Sequence, residues 1–122
     1  MSEPNTVSMK KRDYLGELRT LLDSAYPKLA KGHRLEFKNC FGAVAGYVDG
    51  NIFISCGRFG VALRLPPSIL IGLLKEAGVT HLKYFPNGHI KKEYAVIPSH
   101  ILDDVDRFKD LLDKSLDYAF PR

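Results

Sequence analysis

The first periodic segment of the chain runs from Tyr14 to Tyr26. Its apolar residues recur every three or four positions, which places them on one face of an α-helix: Tyr14, Leu15, Leu18, Leu21, Leu22, Ala25 and Tyr26. Pro27 cannot continue a helix, so we expect the helix to end near Tyr26. Cations are unfavourable near a helix N-terminus, and the run Lys10-Lys11-Arg12 therefore places the start near Asp13.

Four short segments in the middle of the chain have the pattern of β-strands. Each segment is either apolar throughout or alternates apolar with polar residues, and turn residues separate the segments. The four segments are 34–41, 43–48, 51–56 and 61–65. Asp49-Gly50 separates the second from the third, and Gly57-Arg58-Phe59-Gly60 separates the third from the fourth. An Asp-Gly pair between apolar runs is a strong hairpin signal. The last three segments are therefore predicted to form an antiparallel meander.

Two-residue loops at Asp49-Gly50 and Arg58-Phe59 determine which residues face each other. They give six opposed pairs: Tyr47 with Ile52, Ala45 with Ile54, Ala43 with Cys56, Cys56 with Val61, Ile54 with Leu63, and Ile52 with Leu65. The two registers agree and predict one buried face that carries all of these residues. Cys40 then lies roughly 10 Å from Cys56, farther than a disulfide allows, so both thiols are predicted to be free.

The opposite face of this meander is less polar than a face in contact with water. It carries Val44, Gly46, Val48, Phe53, Ser55, Ala62 and Arg64. Either a later helix covers this face or a second subunit or partner does. For the second case the candidate partner-binding residues are Phe53, Arg64, Val44 and Val48. In that case we expect Phe53→Asp to disrupt self-association or partner capture while the monomer stays folded.

The second half of the chain predicts a helix, a hairpin and a final helix. Residues 69–77 form the first helix, with Gly78 as its left-handed C-cap. Strands at 80–85 and 90–97 flank the turn Pro86-Asn87-Gly88-His89. A helical stripe begins at Ile101, and Asp103 or Asp104 caps it or divides it into a short turn and a long helix. The predicted fold class is α+β, a two-layer sandwich in which helices pack on a mainly antiparallel sheet, in the order α, three or four strands, α, two strands, α.

Composition agrees with one soluble globular domain. The chain has 122 residues, of which 45% are apolar and 26% charged. We expect residues 1–9 to form a flexible N-terminal tail and residues 10–122 a single domain. There is no apolar leader, the longest apolar run (69–74) is far too short to span a bilayer, and the two cysteines are unpaired. These features predict a cytoplasmic protein with no membrane partner.

The formal net charge is +4, which is compatible with nucleic acid without requiring it. The residues that could contact phosphates lie on the predicted strands and turns: Arg34, Lys38, Arg58, Lys91 and Lys92. The alternative is that these cations keep the protein in solution and discourage edge-to-edge strand pairing.

No motif of a catalytic or metal site is present. The four histidines are scattered, and the glycines of the segment 42–46 lack the spacing of a dinucleotide-binding loop. Cys56 is predicted to lie in the core, where a thiol is inert. We therefore expect no catalytic residue, no cofactor and no metal. A small-ligand or enzyme site around Cys40 and His33 is a third hypothesis.

The run from Phe41 to Ile54, FGAVAGYVDGNIFI, resembles the N-terminal domain of the TfoX/Sxy competence-regulator family. Gly57 and Leu63-Arg64-Leu65 continue the likeness, and Lys83-Tyr84-Phe85 and 94–98 are similar to that domain's later strands. Ala43 stands where the family commonly has glycine, and Ala45-Gly46 shifts its pattern of small residues. The chain ends where a full-length regulator would continue into a second domain.

The resemblance implies a cytoplasmic, non-enzymatic accessory role in the transcriptional control of competence, and it carries over no catalytic residue. The predicted function is a regulatory or adaptor module that acts by protein–protein contacts, with self-association as one form of contact. The alternative is accessory binding of nucleic acid through the basic strands and hairpin. The identity of the partner does not follow from the sequence.

Overall fold

The structure is a computed structural model, and it describes residues 13–26 and 32–120. The predicted tail, residues 1–9, lies outside the described residues. The described part holds four helices and six strands: α1 (Tyr14–Ala25), β1 (Leu35–Cys40), β2 (Ala43–Val48), β3 (Asn51–Gly57), β4 (Gly60–Arg64), α2 (Pro67–Leu73), β5 (Thr80–Leu82), β6 (Lys91–Ile97), α3 (Ser99–Leu102) and α4 (Val105–Ala119). The predicted α+β fold class is confirmed.

All strand neighbours in the sheet are antiparallel, and their order is β1-β2-β3-β4-β6-β5. The first four strands form a meander. The last hairpin joins it through its second strand, so β6 pairs with β4 and β5 lies at the edge. β5 is shorter than predicted, and residues 83–90 form a long connection between the two strands. This connection is central to the site described below.

One hydrophobic core lies between the helices and one face of the sheet. All four helices contribute to it, and its fully buried members include Leu18, Ile54, Leu63, Ile101 and Leu112. The helices begin where the sequence predicts: the Asp13 carboxylate caps α1, and the Asp104 carboxylate caps α4 after the short helix α3. Gly78 has the predicted left-handed conformation, with φ +83°, but α2 ends at Leu73 and not at residue 77, so Gly78 is not the C-cap of that helix.

The register between β2 and β3 departs from the prediction at one point. Tyr47 faces Ile52 as expected, but the next pair is Gly46 with Ile54, so a β-bulge adds Phe53 to β3. Beyond the bulge Cys56 faces Val44 and not Ala43. The register between β3 and β4 is confirmed for two of the three predicted pairs, Ile54 with Leu63 and Cys56 with Val61, whereas Ile52 with Leu65 is not among the observed pairs.

The bulge exchanges the faces that the sequence assigned to β2. Val44, Val48 and Phe53 lie with Ile54 and Cys56 on the face that the helices cover: Phe53 and Val48 are fully buried, and Val44 packs against the core. The later helix α4 contacts β3 and β4 and covers Phe53, which is the first of the two alternatives offered for this face, whereas Ser55 and Ala62 of the same predicted face lie outside the helix-covered core. The prediction that Phe53, Val44 and Val48 form a partner-binding surface is therefore wrong, because the chain's own helix occupies that surface.

Gly46 explains why the bulge is tolerated. A Cβ at this position would lie 2.8 Å from Cγ2 of Ile54 and 3.5 Å from Cε1 of Phe53. Only glycine leaves room for two consecutive large side chains that point to the same side of β3.

Candidate binding cleft on the helix-free face of the sheet

The helix-free face of the sheet is built on a row of small residues. Ala45, Ser55 and Ala62 are neighbours across β2, β3 and β4, and each is fully buried although none belongs to the helix-covered core. The connection 83–90 folds back over this row. Its Tyr84 hydroxyl donates a hydrogen bond of 3.2 Å to Ser55 Oγ. Burial raises the pKa of Tyr84 to about 12, so the phenol stays protonated at neutral pH.

A cleft of about 530 Å³ opens where this connection meets two of the turns. The β1–β2 turn contributes Phe41 and Gly42, the β3–β4 turn contributes Arg58 and Phe59, and residues 83–86 form the third wall. The turns meet because they lie at the same end of the antiparallel meander. The lining is mainly aromatic and basic, and none of its side chains is a carboxylate, an imidazole or a thiol. The lining residues are Phe41, Gly42, Ala43, Arg58, Phe59, Lys83, Tyr84, Phe85 and Pro86.

The four aromatic rings of the cleft form a continuous array. Ring centroids are 5.6 Å apart between Phe85 and Phe41, 5.4 Å between Phe41 and Tyr84, and 5.6 Å between Tyr84 and Phe59, with interplanar angles of 58° to 87°. Edge-to-face contacts of this kind are favourable. Phe41 and Phe85 nevertheless remain 65% and 54% exposed. The outer end of the array therefore presents apolar ring surface to solvent.

Phe41 is held in an unfavourable backbone conformation. Its φ is +52° and that of Gly42 is +82°, so the two residues form a turn of the type that favours Asn-Gly. A bulky residue with positive φ is strained. The turn thus carries an exposed aromatic ring at a position where the backbone alone would prefer a small polar residue.

Among the residues that the structure describes, the cations of the cleft have no acidic partners. Within residues 13–26 and 32–120, no ion pair involves Arg58 or Lys83. The surrounding charge has the same sign: residues 32–65 and 80–97, which make up the sheet and its turns, hold seven lysines and arginines and three carboxylates. The helical segments 13–26, 66–79 and 98–120 hold five lysines and arginines and ten carboxylates. The two layers therefore carry opposite net charge, and the cleft lies in the basic layer.

Arg64 is the fourth predicted partner-binding residue, and it lies outside the cleft. Its Nε donates a hydrogen bond of 2.7 Å to Glu93 Oε1, and its guanidinium lies 4.8 Å from the ring centroid of Tyr118 on α4. The side chain is 26% exposed. Arg64 therefore connects β4, β6 and α4 within the chain.

The structure does not gather the five predicted phosphate contacts into one patch. Arg58 lines the cleft, and Arg34 precedes β1 at the opposite end of the sheet, 3.7 Å from Glu36. Lys38 lies 4.9 Å from the ring centroid of Tyr47. The remaining two, Lys91 and Lys92, begin β6 beside Glu93.

Cys40 and His33 lie at opposite ends of β1, roughly 20 Å apart by strand rise. His33 Nδ1 is 2.9 Å from Asp49 Oδ2, and its ring stacks on Phe120 at 4.8 Å. Cys40 interacts with Tyr84, and no disulfide joins Cys40 to Cys56. The two residues of the third hypothesis are thus not brought together.

The described residues contain no group of three or more His, Cys, Asp or Glu side chains placed to bind a metal ion. None of their helices has the length and apolar character needed to cross a bilayer.

Sequence reasoning missed the cleft, although a signal for it was present. Three turn segments, 40–43, 57–60 and 83–90, combine six aromatic or basic residues of the lining with no acidic residue. What the sequence could not give is that segments more than forty residues apart meet at one end of the sheet. Comparisons with protein-family models, with curated proteins and with solved structures found no match for this chain.

Proposed function

We propose that this chain is a non-enzymatic regulatory or adaptor module that acts in the cytoplasm by contact with a protein partner. The contact is made at the cleft between the β1–β2 turn, the β3–β4 turn and residues 83–86. The observation that carries this proposal is the exposure of Phe41 and Phe85 at the mouth of the cleft. Exposed neighbouring phenyl rings are unfavourable in water and are typical of contact surfaces. The role in transcriptional control of competence that the TfoX/Sxy resemblance implies is the corresponding biological proposal.

The backbone of Phe41 supports the same proposal. A phenyl ring on a turn residue with φ +52° adds backbone strain to the cost of exposing an apolar side chain. The ring contacts Tyr84 and Phe85 but leaves most of its surface in solvent. A binding role accounts for a residue that the fold itself does not favour.

The lining residues support binding over catalysis. Of their side chains only Arg58, Lys83 and Tyr84 can ionise. The cleft offers ring surface and two positive charges, and a nucleophile paired with a base is not among the residues that line it.

Site-specific photo-crosslinking in the native cytoplasm tests the proposal. A photoreactive phenylalanine analogue replaces Phe85 in one variant, and in the matched control it replaces Ile71, which is 65% exposed on the helix layer. We expect a discrete protein adduct, with a partner or with a second copy, from position 85 and not from position 71. Equal adducts at both positions, no adduct at either, or an adduct with nucleic acid alone would overturn the proposal.

A further inference from the structure

The occupant of the cleft can be specified further, on the assumption that the proposed function holds. We infer that the cleft receives an acidic segment of the partner protein, with an aromatic side chain of that segment joining the ring array and its carboxylates contacting Arg58 and Lys83. Three properties of the cleft carry this inference: its charge, the orientation of its rings and its size.

The charge of the cleft selects for carboxylates. Arg58 and Lys83 have no ion-pair partner among the described residues, and no carboxylate lines the cleft. Net positive charge in the sheet layer and net negative charge in the helix layer direct an acidic segment to this face and away from the other. Both cations would repel a basic segment, and a neutral segment would lack the charge attraction that a carboxylate has to them.

The orientation of the rings selects for an aromatic side chain. Each contact in the array is tilted or edge-to-face, and the two rings at its outer end, Phe41 and Phe85, are more than half exposed. A further ring can extend the series by the same geometry and remove exposed phenyl surface from water. Tyr84 is hydrogen-bonded to Ser55, which holds the middle of the array in place for this contact.

The same features make a single strand of nucleic acid a poorer fit. Bases stack on ring faces presented in succession along a groove that follows the phosphates, over four or more nucleotides. Here the rings are mutually inclined, only two cations line the cleft, and its volume of about 530 Å³ suits one or two side chains. Lys38 lies instead over the Tyr47 ring, and Arg34 lies beyond the far end of β1.

Fluorescence anisotropy with short synthetic peptides tests the inference directly. The probe is a Glu-rich peptide with one central Phe, and the comparison probes replace every Glu with Gln, replace every Glu with Lys, or replace Phe with Ser. A short oligothymidylate, labelled with the same dye as the peptides, completes the set. We expect saturable binding of the acidic aromatic peptide alone, weakened about tenfold or more by R58Q/K83Q or by F41N. Raising the ionic strength should weaken it further.

Matched substitutions outside the cleft are the controls. K75Q removes an exposed cation and I71S an exposed apolar side chain, both on the helix layer, and neither should alter the affinity. Circular dichroism of each variant establishes that it is folded, so a loss of binding reports on the cleft.

Each contrary result has a distinct meaning. If the Gln peptide binds at the cleft as well as the Glu peptide, the requirement for acid is overturned and the proposed protein-binding function stands. If only the oligothymidylate binds, both are overturned. If no peptide binds, the inference is overturned, while crosslinking at position 85 still decides the proposed function. If the mass of the protein rises with concentration and F41N prevents this rise, a second copy is the occupant and the inference of an acidic peptide segment is overturned.

Discussion

Ser115 on α4 donates a hydrogen bond of 2.7 Å from its hydroxyl to the carbonyl oxygen of Phe53. Phe53 is the residue that the β-bulge adds to β3, and both residues are fully buried. The last helix is therefore attached to the sheet at the one place where the β2–β3 ladder is irregular. A backbone carbonyl that leaves the regular ladder needs another donor, and Ser115 supplies it.

Replacement of Ser115 by Ala should lower the free energy of unfolding by about 1–3 kcal/mol, because the buried carbonyl of Phe53 loses its donor. Urea denaturation of the purified chain measures the change. S24A, at an exposed position of α1, is the control and should change stability by less than about 0.5 kcal/mol. An S115A protein as stable as the parent would show that the hydrogen bond does not stabilise the bulge.

Replacement of Phe53 by Ala should cost about 3–5 kcal/mol, because a fully buried phenyl ring leaves a cavity in the core. Phe53→Asp should unfold the protein, since an unpaired carboxylate would be placed in the same site. This replaces the sequence-based expectation that the aspartate variant stays folded and loses a partner. Thermal denaturation followed by circular dichroism decides between them, with F85A, at a half-exposed ring, as the nearly neutral control.

Replacement of Phe41 by Asn should raise stability while it removes binding. Asn-Gly is favoured in a turn whose two residues both have positive φ, and relief of strain at φ +52° should yield a net gain of about 0.5–1 kcal/mol. G42A is the opposite control: alanine at φ +82° should destabilise the same turn by about 1 kcal/mol. F41A removes the same ring contacts as F41N but lacks the preference of Asn for positive φ, so if F41N is no more stable than F41A, the functional argument from strain fails.

The Glu76 carboxylate should make stability depend on pH in the acid range. The hydrogen bonds from Arg107 hold the pKa of Glu76 at about 2, below its ordinary value of 4.5, and His100 contributes in the same direction. Because the folded-state pKa is the lower one, this contribution to stability is complete above pH 4.5 and is lost as the pH falls towards 2.

The stability difference between the parent and E76Q should therefore be constant above pH 4.5 and shrink below it. Urea denaturation at a series of pH values measures this difference. D110N is the matched control, since Asp110 forms an exposed ion pair with Lys114 within α4 and should show a smaller difference. A difference that persists unchanged down to pH 2 would contradict the assignment.

The helices and turns illustrate what local sequence can predict. Asp13 and Asp104 cap the helices that the apolar stripes indicate, and Asp49-Gly50 adopts the positive φ values its composition favours. The sequence pattern placed Phe41 at the end of the first strand, whereas it lies in the β1–β2 turn, because local preference does not favour phenylalanine at positive φ. The strained residue was thus the one that sequence rules could not locate.

The sequence alone determined the fold class, the order of the elements and most strand pairing, because these depend on apolar periodicity and on turn residues close together in the chain. Tertiary packing decided which face of β2 the helices cover, because the extra residue Phe53 in β3 reverses which β2 side chains share a face with Ile54 and Cys56. The hydroxyl of Ser115, sixty-two positions away in the sequence, stabilises this bulge. It also decided the cleft, because Phe41, Arg58 and Phe85 meet only after the connection 83–90 folds over the small residues of the sheet.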